Sequence, residues 1–286
     1  MELLTDFETD FITSSDGTKI GYRYIGTGPS VMLVHGALQS SLNFTKLAKA
    51  LSASFTVYVP DRRGRGLSGA YGDNDHLLSE AADIMALIQH TRTHYIFGLS
   101  SGAIITLQTA LLEPGIKKLA LYEPPIPVNG NPFKQLDTTY EYAIKKGNLG
   151  KAFIAILKGT GDSSFISLLP GFVTAPLVNM MMKAQMKTKN ENELPLQELI
   201  PTFHHDRILV RESGSLLEKA SNIQADVLLL GGSKSQKYLK LTLDQLQALI
   251  PHAKLVVFEK LGHLAADNSE SPQKIANELL NFFKEK

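Results

Sequence analysis

The sequence predicts an α/β fold: a mostly parallel, twisted β-sheet flanked by helices, with a helical insertion in its second half. Three observations lead to this prediction. Short apolar runs alternate with amphipathic helical stretches up to Glu123, as in successive βαβ units. The alternation stops at a cluster of prolines and glycines, and helical spacing then continues to about Asn222. From Asp226 onward strand and helix patterns alternate again.

The individual elements follow from hydrophobic periodicity. Residues 7–28 alternate apolar and polar side chains around a Ser15-Asp16-Gly17 turn, which predicts an antiparallel hairpin. Continuous apolar runs predict strands buried on both faces, as in a parallel sheet. These runs are residues 30–34, 55–59, 95–97, 118–122, 226–230 and 254–258. The predicted connecting helices are residues 42–51, 75–91, 103–112, 238–250 and 273–283. We therefore expect a core of residues 1–123 and 223–286, with residues 124–222 inserted as a helical cap.

Composition narrows the possible functions. The 286 residues carry a formal net charge of +1, which predicts no nucleic-acid partner and no polybasic membrane anchor. The chain has no cysteine, which excludes disulfides, cysteine-ligated zinc and a thiol nucleophile. The sequence shows no signal-peptide pattern and no long apolar window, so neither secretion nor membrane insertion is expected. We predict a cytoplasmic location and a small-molecule substrate. The oligomeric state is left open.

The strongest chemical signal is Gly98-Leu99-Ser100-Ser101-Gly102, which fits the pattern G-x-S-x-G. An apolar strand pattern precedes it and a helix pattern follows, the context in which this pattern forms a sharp strand-to-helix turn with an exposed serine hydroxyl. Glycines flank the turn where neighbouring chain leaves no room for a Cβ. The glycine spacing centres on Ser100 rather than Ser101. We predict Ser100 as nucleophile and the amide of Ser101, at the helix N-terminus, as an oxyanion donor.

A histidine after the predicted strand 254–258 is the best candidate for a general base. His263 follows Leu261-Gly262 and so lies at the carboxyl edge of the sheet, where active sites of open α/β sheets form. Histidine is the side chain whose ordinary ionisation suits proton transfer from a serine hydroxyl near neutral pH. The remaining histidines are expected to have capping, solvated or structural roles: His35, His76, His90, His94, His204, His205 and His252. No carboxylate cluster accompanies them at ligand spacing, so no metal site is predicted.

The loop after the strand 30–34 begins with His35-Gly36. We expect His35 to hold this loop through a structural hydrogen bond. The backbone amide of Ala37 is the predicted second oxyanion donor, because the corresponding loop supplies one in folds with this serine turn. The amide of Leu38 is the alternative.

Four motifs in order resemble those of the α/β-hydrolase superfamily. Residues 98–102 resemble its nucleophile elbow, His35-Gly36 is similar to its oxyanion loop, and Leu261-Gly262-His263 resembles its base-bearing loop. Asp61-Arg62-Arg63-Gly64-Arg65-Gly66-Leu67-Ser68 resembles the D-x-R-G-x-G-x-S loop of its smaller members. We expect that loop to be structural, with its arginines paired to carboxylates. The resemblance spans nearly the whole chain and implies the α/β-hydrolase fold.

The chain departs from the family pattern at the triad acid. Many members carry an acid in the loop after the strand that follows the cap, but here that loop, residues 231–236, has no carboxylate. Some members place the acid at the end of the strand after the nucleophile strand. Glu123 occupies that position, and the order Ser100, Glu123, His263 is the superfamily's order. We predict Glu123 as the acid. Weaker alternatives are Asp226, Asp244, Asp267 and Asp73.

These residues predict an esterase-like serine hydrolase that forms an acyl-enzyme without a cofactor. A serine nucleophile disfavours the epoxide-hydrolase and dehalogenase branches of the fold. Other reactions on the same scaffold stay open, namely a cofactor-free haloperoxidase, a C–C hydrolase, a lactonase or an amidase. A non-catalytic binding protein is a further alternative, since the usual acid is missing. Apolar cap residues are expected to form cap core and to line part of a substrate pocket. They are Phe165, Leu168, Leu169, Phe172, Val173, Met180, Met181, Met182 and Met186.

Overall fold

A computed structural model of the chain describes residues 4–72, 76–128, 130, 134–161, 171–188 and 192–285. Within these residues the strands form one eight-stranded sheet in the order β1-β2-β4-β3-β5-β6-β7-β8. The strands are β1 (Glu8–Thr13), β2 (Lys19–Ile25), β3 (Ser30–Val34), β4 (Thr56–Pro60), β5 (Tyr95–Leu99), β6 (Lys118–Tyr122), β7 (Asp226–Gly232) and β8 (Lys254–Phe258).

The sheet combines an antiparallel edge with a parallel body. The hairpin β1–β2 pairs antiparallel, and β2 pairs antiparallel with β4. From β4 onward every neighbouring pair is parallel, so the carboxyl ends of β3, β5, β6, β7 and β8 lie at one edge. This arrangement confirms the predicted fold class, the α/β-hydrolase fold.

Helices cover both faces of the sheet. They are α1 (Thr45–Leu51), α2 (Leu77–Thr91), α3 (Ser101–Leu112), α4 (Lys134–Lys145), α5 (Leu149–Thr160), α6 (Gly171–Thr188), α7 (Leu196–Glu212), α8 (Gly214–Lys219), α9 (Lys237–Leu249) and α10 (Pro272–Lys284). Among the described residues, no helix combines the length and the apolar character that crossing a bilayer requires.

The continuous apolar runs are explained by burial on two sides. Along β3, Val31 and Leu33 pack in one apolar cluster, whereas Met32 and Val34 pack in the other. Successive side chains of a strand point to opposite faces, so a strand with helices on both sides needs an apolar residue at every position. The cluster that contains Met32 and Val34 includes α2 and α3, and the one that contains Val31 and Leu33 includes α1 and α10.

The segment between β6 and β7 is mostly helical wherever it is described, from α4 to α8. Helix α7 packs against α2 and α3 of the core, and its Ile200 and Phe203 belong to the same apolar cluster as Ile104 of α3. The helical content agrees with the sequence pattern. The division into a core and a cap domain stays a prediction.

The expectation for the apolar residues of this segment is only partly met. Met182 is buried, but Met180 and Met181 are 62% and 53% exposed. Successive residues of a helix are about 100° apart, so three adjacent methionines cannot all face the interior. Phe165, Leu168 and Leu169 lie outside the described residues, as do the side chains of Phe172, Val173 and Met186.

Candidate active site

Ser100 lies on the sharp turn between β5 and α3. Its backbone has φ 56° and ψ −124°, a conformation that L-residues seldom adopt. The turn is held from both sides, since the Ser100 N–H donates to the Tyr122 carbonyl at 2.9 Å and its own carbonyl accepts from Ala103 at 2.9 Å. Ser101 is the first residue of α3, so its N–H has no acceptor within the helix. The hydroxyl of Ser100 is thereby presented beside a helix N-terminus.

Both glycines of the turn are required by close chain contact. A Cβ on Gly98 would lie 2.6 Å from the Ala103 Cα atom. A Cβ on Gly102 would lie 2.5 Å from the His35 carbonyl oxygen, because α3 starts directly against the loop after β3. The G-x-S-x-G spacing therefore reflects two positions at which the folded chain leaves no room for a Cβ.

We expect Gly102→Ala to lower the free energy of unfolding by about 2–4 kcal/mol, since the Cβ displaces backbone that has no room to move. Thermal unfolding followed by circular dichroism measures the loss. Gly214→Ala is the matched control, because Gly214 is exposed and a Cβ added there would meet no described neighbour within 4 Å. Equal melting temperatures for the two variants would contradict the steric argument.

His263 reaches Ser100 from the loop after β8. Its Nε2 lies 3.0 Å from Ser100 Oγ. Contacts to neighbouring segments fix this loop: the Tyr122 hydroxyl donates to the Gly262 carbonyl at 2.8 Å, and the Lys234 N–H donates to the Leu261 carbonyl at 2.9 Å. The imidazole is about one-third exposed and so stays open to solvent.

Glu123 holds the other side of the imidazole. It follows β6, has φ 46°, and is fully buried. Its Oε2 lies 2.7 Å from His263 Nδ1, and its Oε1 accepts the Gly232 N–H at 2.6 Å. The loop after β7 lacks a carboxylate, but Gly232 at the end of β7 donates its N–H to Glu123, which follows the neighbouring strand β6.

The other acids considered from the sequence lie elsewhere. Asp226 is exposed at the opposite end of β7 from Gly232, and Asp244 is exposed on α9. Asp267 is buried but accepts from Gln39 at 2.7 Å and from Asn43 at 2.9 Å. Asp73 lies outside the described residues. Within the described chain, Glu123 is the carboxylate paired with His263.

The loop after β3 lies against Ser100. A Cβ on Gly36 would come within 3.0 Å of the Ser100 Cβ, and the Gly36 N–H is tied to Gln39 Oε1 at 2.9 Å. Leu38, the residue after Ala37, has φ 55°. The amides of Ala37 and Leu38 both follow this contact point, and the choice between them stays a prediction.

His35 is a structural residue of this loop. Its Nε2 accepts the Arg62 N–H at 3.2 Å, and its Nδ1 lies 3.0 Å from the Gly36 carbonyl oxygen. Complete burial, with the charges of Arg65 and Arg62, holds the pKa of His35 well below its usual value. A neutral ring with the proton on Nδ1 satisfies both bonds, so His35 donates to the Gly36 carbonyl.

The other histidines have local contacts. His76 caps α2, His94 and His252 contact the carbonyls of Gly115 and Ala225, and His90 lies near the Tyr22 ring. His204 pairs with Glu141, and His205 stacks on Tyr71. The described residues contain no group of three or more potential ligands placed to hold a metal ion.

The arginines of the Asp61 loop are paired to carboxylates, as expected. Arg62 contacts Glu80 at 2.6 Å and Asp206 at 2.8 Å, Arg63 contacts Asp83 at 2.6 Å, and Arg65 contacts Asp206 at 2.6 Å. Asp206, on α7, was missed by the sequence analysis. It sits in a helical stretch after two histidines, and no motif marks it.

Asp206 is ionised in its buried site. Burial raises its pKa, but the charges of Arg65 and Arg62 outweigh burial and lower it to about 2 from 3.8. A carboxylate with a depressed pKa contributes stability that is present above its unfolded pKa and lost as the pH falls through the folded value. We expect this contribution to be on the order of 2 kcal/mol at neutral pH.

The corresponding experiment is urea unfolding of wild type and Asp206→Asn at several pH values. The difference between their free energies of unfolding is expected to narrow as the pH falls from about 4 toward about 2, where wild-type Asp206 becomes protonated. A difference that stays constant over this range would contradict the ion-pair account.

Comparison with known proteins supports the architecture. Residues 29–269 match the family model described as alpha/beta hydrolase fold. An alpha/beta hydrolase from Sphaerobacter thermophilus superposes with a TM-score of 0.77 at 28% identity, covering 96% of this chain and all of that one. The enol-lactonase from Burkholderia xenovorans superposes with a TM-score of 0.71 at 17% identity, covering 96% of this chain and all of that one, which shows the fold alone.

Among curated proteins, N-formylmaleamate deformylase of Pseudomonas putida is 34% identical over 118 residues, which is 40% of this chain and 44% of that protein. The chain aligns with less than half the length of this relative and of an uncharacterised hydrolase of Bacillus subtilis.

Proposed function

This chain belongs to the alpha/beta hydrolase fold family, and we propose that it hydrolyses a small, apolar ester through an acyl-enzyme on Ser100. The observation that carries this proposal is the continuous contact from Ser100 Oγ to His263 Nε2 at 3.0 Å and from His263 Nδ1 to Glu123 Oε2 at 2.7 Å. Nucleophile, base and orienting acid have the mutual geometry that nucleophilic catalysis requires.

In the acylation step Ser100 Oγ attacks the ester carbonyl while His263 Nε2 takes the hydroxyl proton. Glu123 fixes the tautomer that carries a proton on Nδ1, which leaves Nε2 free to accept. Its negative charge stabilises the imidazolium that forms. The imidazolium then protonates the departing alcohol, and the acyl group stays on Ser100.

The negative charge on the carbonyl oxygen is held by backbone donors, which we assign to the amides of Ser101 and Ala37. Both belong to segments that are fixed beside Ser100 by the turn and by the loop after β3. In the deacylation step His263 removes a proton from water, the hydroxide attacks the acyl carbon, and Ser100 is released with its proton restored.

A half-open, mainly apolar pocket is our candidate for the acyl or alcohol site of the proposed substrate. It has a volume of about 350 Å³ and is lined by residues 126–128, Gly130, Lys237, Tyr238 and Leu241. Its walls come from the segment that follows Glu123 and from the first turns of α9, which follows β7. A volume of this size suits a small ligand.

Hydrolysis of an amide is the second candidate. It is motivated by the curated relative, a deformylase by name, which is 34% identical over the aligned residues. Both reactions use the same nucleophile and oxyanion donors, so relative rates on matched substrates distinguish them. A panel of matched esters, lactones, N-formyl amides and acyl amides would rank them by kcat/KM.

A serine-directed fluorophosphonate probe tests the mechanism. We expect stoichiometric labelling of wild type on Ser100, because labelling requires an activated serine. No labelling together with no turnover on the panel would favour a binding protein with an inactive triad. We also propose that the enzyme is cytoplasmic and that its partner is its small-molecule substrate.

A further inference from the structure

A buried carboxylate on helix α7 joins the two sides of the proposed oxyanion hole. Asp206 is 2% exposed. Its Oδ1 accepts from Ser101 Oγ at 2.7 Å and from Arg62 Nη1 at 2.8 Å, and its Oδ2 accepts from Arg65 Nη2 at 2.6 Å. Two of these three partners are connected to a proposed oxyanion donor: Arg65 to the amide of Ala37, and the Ser101 hydroxyl to the amide of the same residue.

The first connection runs through Arg65 to the amide of Ala37. While Nη2 of Arg65 contacts Asp206, its Nη1 donates to the Gly36 carbonyl at 2.9 Å. The Gly36 carbonyl and the Ala37 N–H belong to one planar peptide unit and point in opposite directions. Because Arg65 and His35 hold the carbonyl oxygen, they also fix the direction of the Ala37 N–H.

The second connection runs through the hydroxyl of Ser101. Oγ of Ser101 donates to Asp206 and accepts from Arg62 at 2.9 Å, so this side chain is held in one orientation. The same residue supplies the other proposed oxyanion amide. Both donors are therefore tied to the two oxygens of one carboxylate, which comes from the helical segment between β6 and β7.

We propose that Asp206 is a positioning residue: from α7 it aligns the amides of Ala37 and Ser101, so that acyl transfer runs at full rate only while α7 is docked on the core. This inference rests on the proposed function, because it concerns the oxyanion hole of that reaction. The geometry needed at such a donor is tight, and small displacements lower the rate strongly.

The experiment measures kcat and KM for p-nitrophenyl butyrate with Asp206→Asn. The expected result is a kcat about 10- to 100-fold lower with KM within about twofold, since donors misaligned by loss of the ion pairs fail chiefly in the transition state. The affinity for a trifluoromethyl ketone, whose serine adduct places an oxyanion in the hole, is expected to fall by the same factor.

Arg207→Met is the matched control, at the next position of α7. Arg207 is also buried and paired, to Asp137 at 2.5 Å and Glu141 at 2.7 Å, but its ion pairs lead to α4 and not to Ser101 or Gly36. This variant is expected to lose stability and to keep wild-type kcat and ketone affinity at a temperature where it is folded.

Ser101→Ala tests the positioning role of Asp206 if Asp206→Asn does not fold. It keeps the backbone amide and removes only the hydroxyl, and we expect kcat to fall about 3- to 10-fold with KM unchanged. A folded variant of either kind with wild-type kcat and ketone affinity would overturn the inference. Wild type that neither turns over ester nor reacts with the fluorophosphonate would instead overturn the proposed function itself.

Discussion

Replacing Ser100 by alanine is expected to lower kcat on p-nitrophenyl acetate and butyrate by about 10⁴-fold or more. The variant keeps His263 and Glu123 but loses the atom proposed to form the acyl-enzyme, the Oγ that lies 3.0 Å from His263 Nε2. Residual turnover is expected to come from general-base attack by water, without an acyl-enzyme. Steady-state rates measure the loss of turnover, and fluorophosphonate labelling measures the loss of the reactive serine.

Ser215→Ala is the matched control, since Ser215 is exposed on α8. It should keep wild-type kcat and labelling. Mass spectrometry of the labelled wild type should place the phosphonate on the peptide that contains Ser100. Retained labelling of Ser100→Ala would identify a different nucleophile, with Ser101 the nearest candidate in the chain.

Replacing Glu123 by glutamine is expected to lower kcat by about 10³- to 10⁴-fold, the size of effect seen when an orienting acid is replaced by its amide. The two oxygens of Glu123 each face an N–H, from His263 Nδ1 and from Gly232. A glutamine offers one oxygen and one NH₂ group, so one of the two donors would meet another donor. The imidazole relieves this conflict by moving its proton to Nε2, which can then no longer accept from Ser100.

Asp244→Asn controls for the loss of one acidic charge at an exposed position, and we expect it to keep full activity. Labelling by the fluorophosphonate should slow in parallel with kcat in Glu123→Gln, because both depend on activation of Ser100 by His263. If the glutamine variant keeps more than about a tenth of wild-type kcat, the orienting acid is a different residue.

Local patterns explain why the sequence alone predicted the fold and the strand-turn-helix that carries Ser100. An apolar strand, a glycine-flanked serine and a helix are contiguous, and their geometry is set within residues 95–112. The buried strands were recognisable because helices cover both faces of the sheet, which forces apolar residues at successive positions. These signals depend on near neighbours in the chain, and their element bounds agree with the structure to within about two residues at most positions.

The acid was harder to predict from the sequence, because its expected partner is distant in the chain. Glu123 and His263 are 140 residues apart, and their contact depends on the order β6-β7-β8 and on the positive φ at Glu123. In the sequence, the loop after β7 has no carboxylate at the place where many α/β hydrolases carry the triad acid. In the folded chain Gly232, at the end of β7, donates its amide to Glu123. The catalytic roles themselves stay predictions until the variants are measured.

By itself, the sequence determined the α/β-hydrolase fold and the strand-turn-helix that presents Ser100, because hydrophobic periodicity and glycine spacing act over a few residues. Only the tertiary structure decided which carboxylate faces His263 and that Asp206 joins Ser101 to Arg65. A buried charge is stable only beside its partners, and those partners are brought together by packing of segments more than a hundred residues apart.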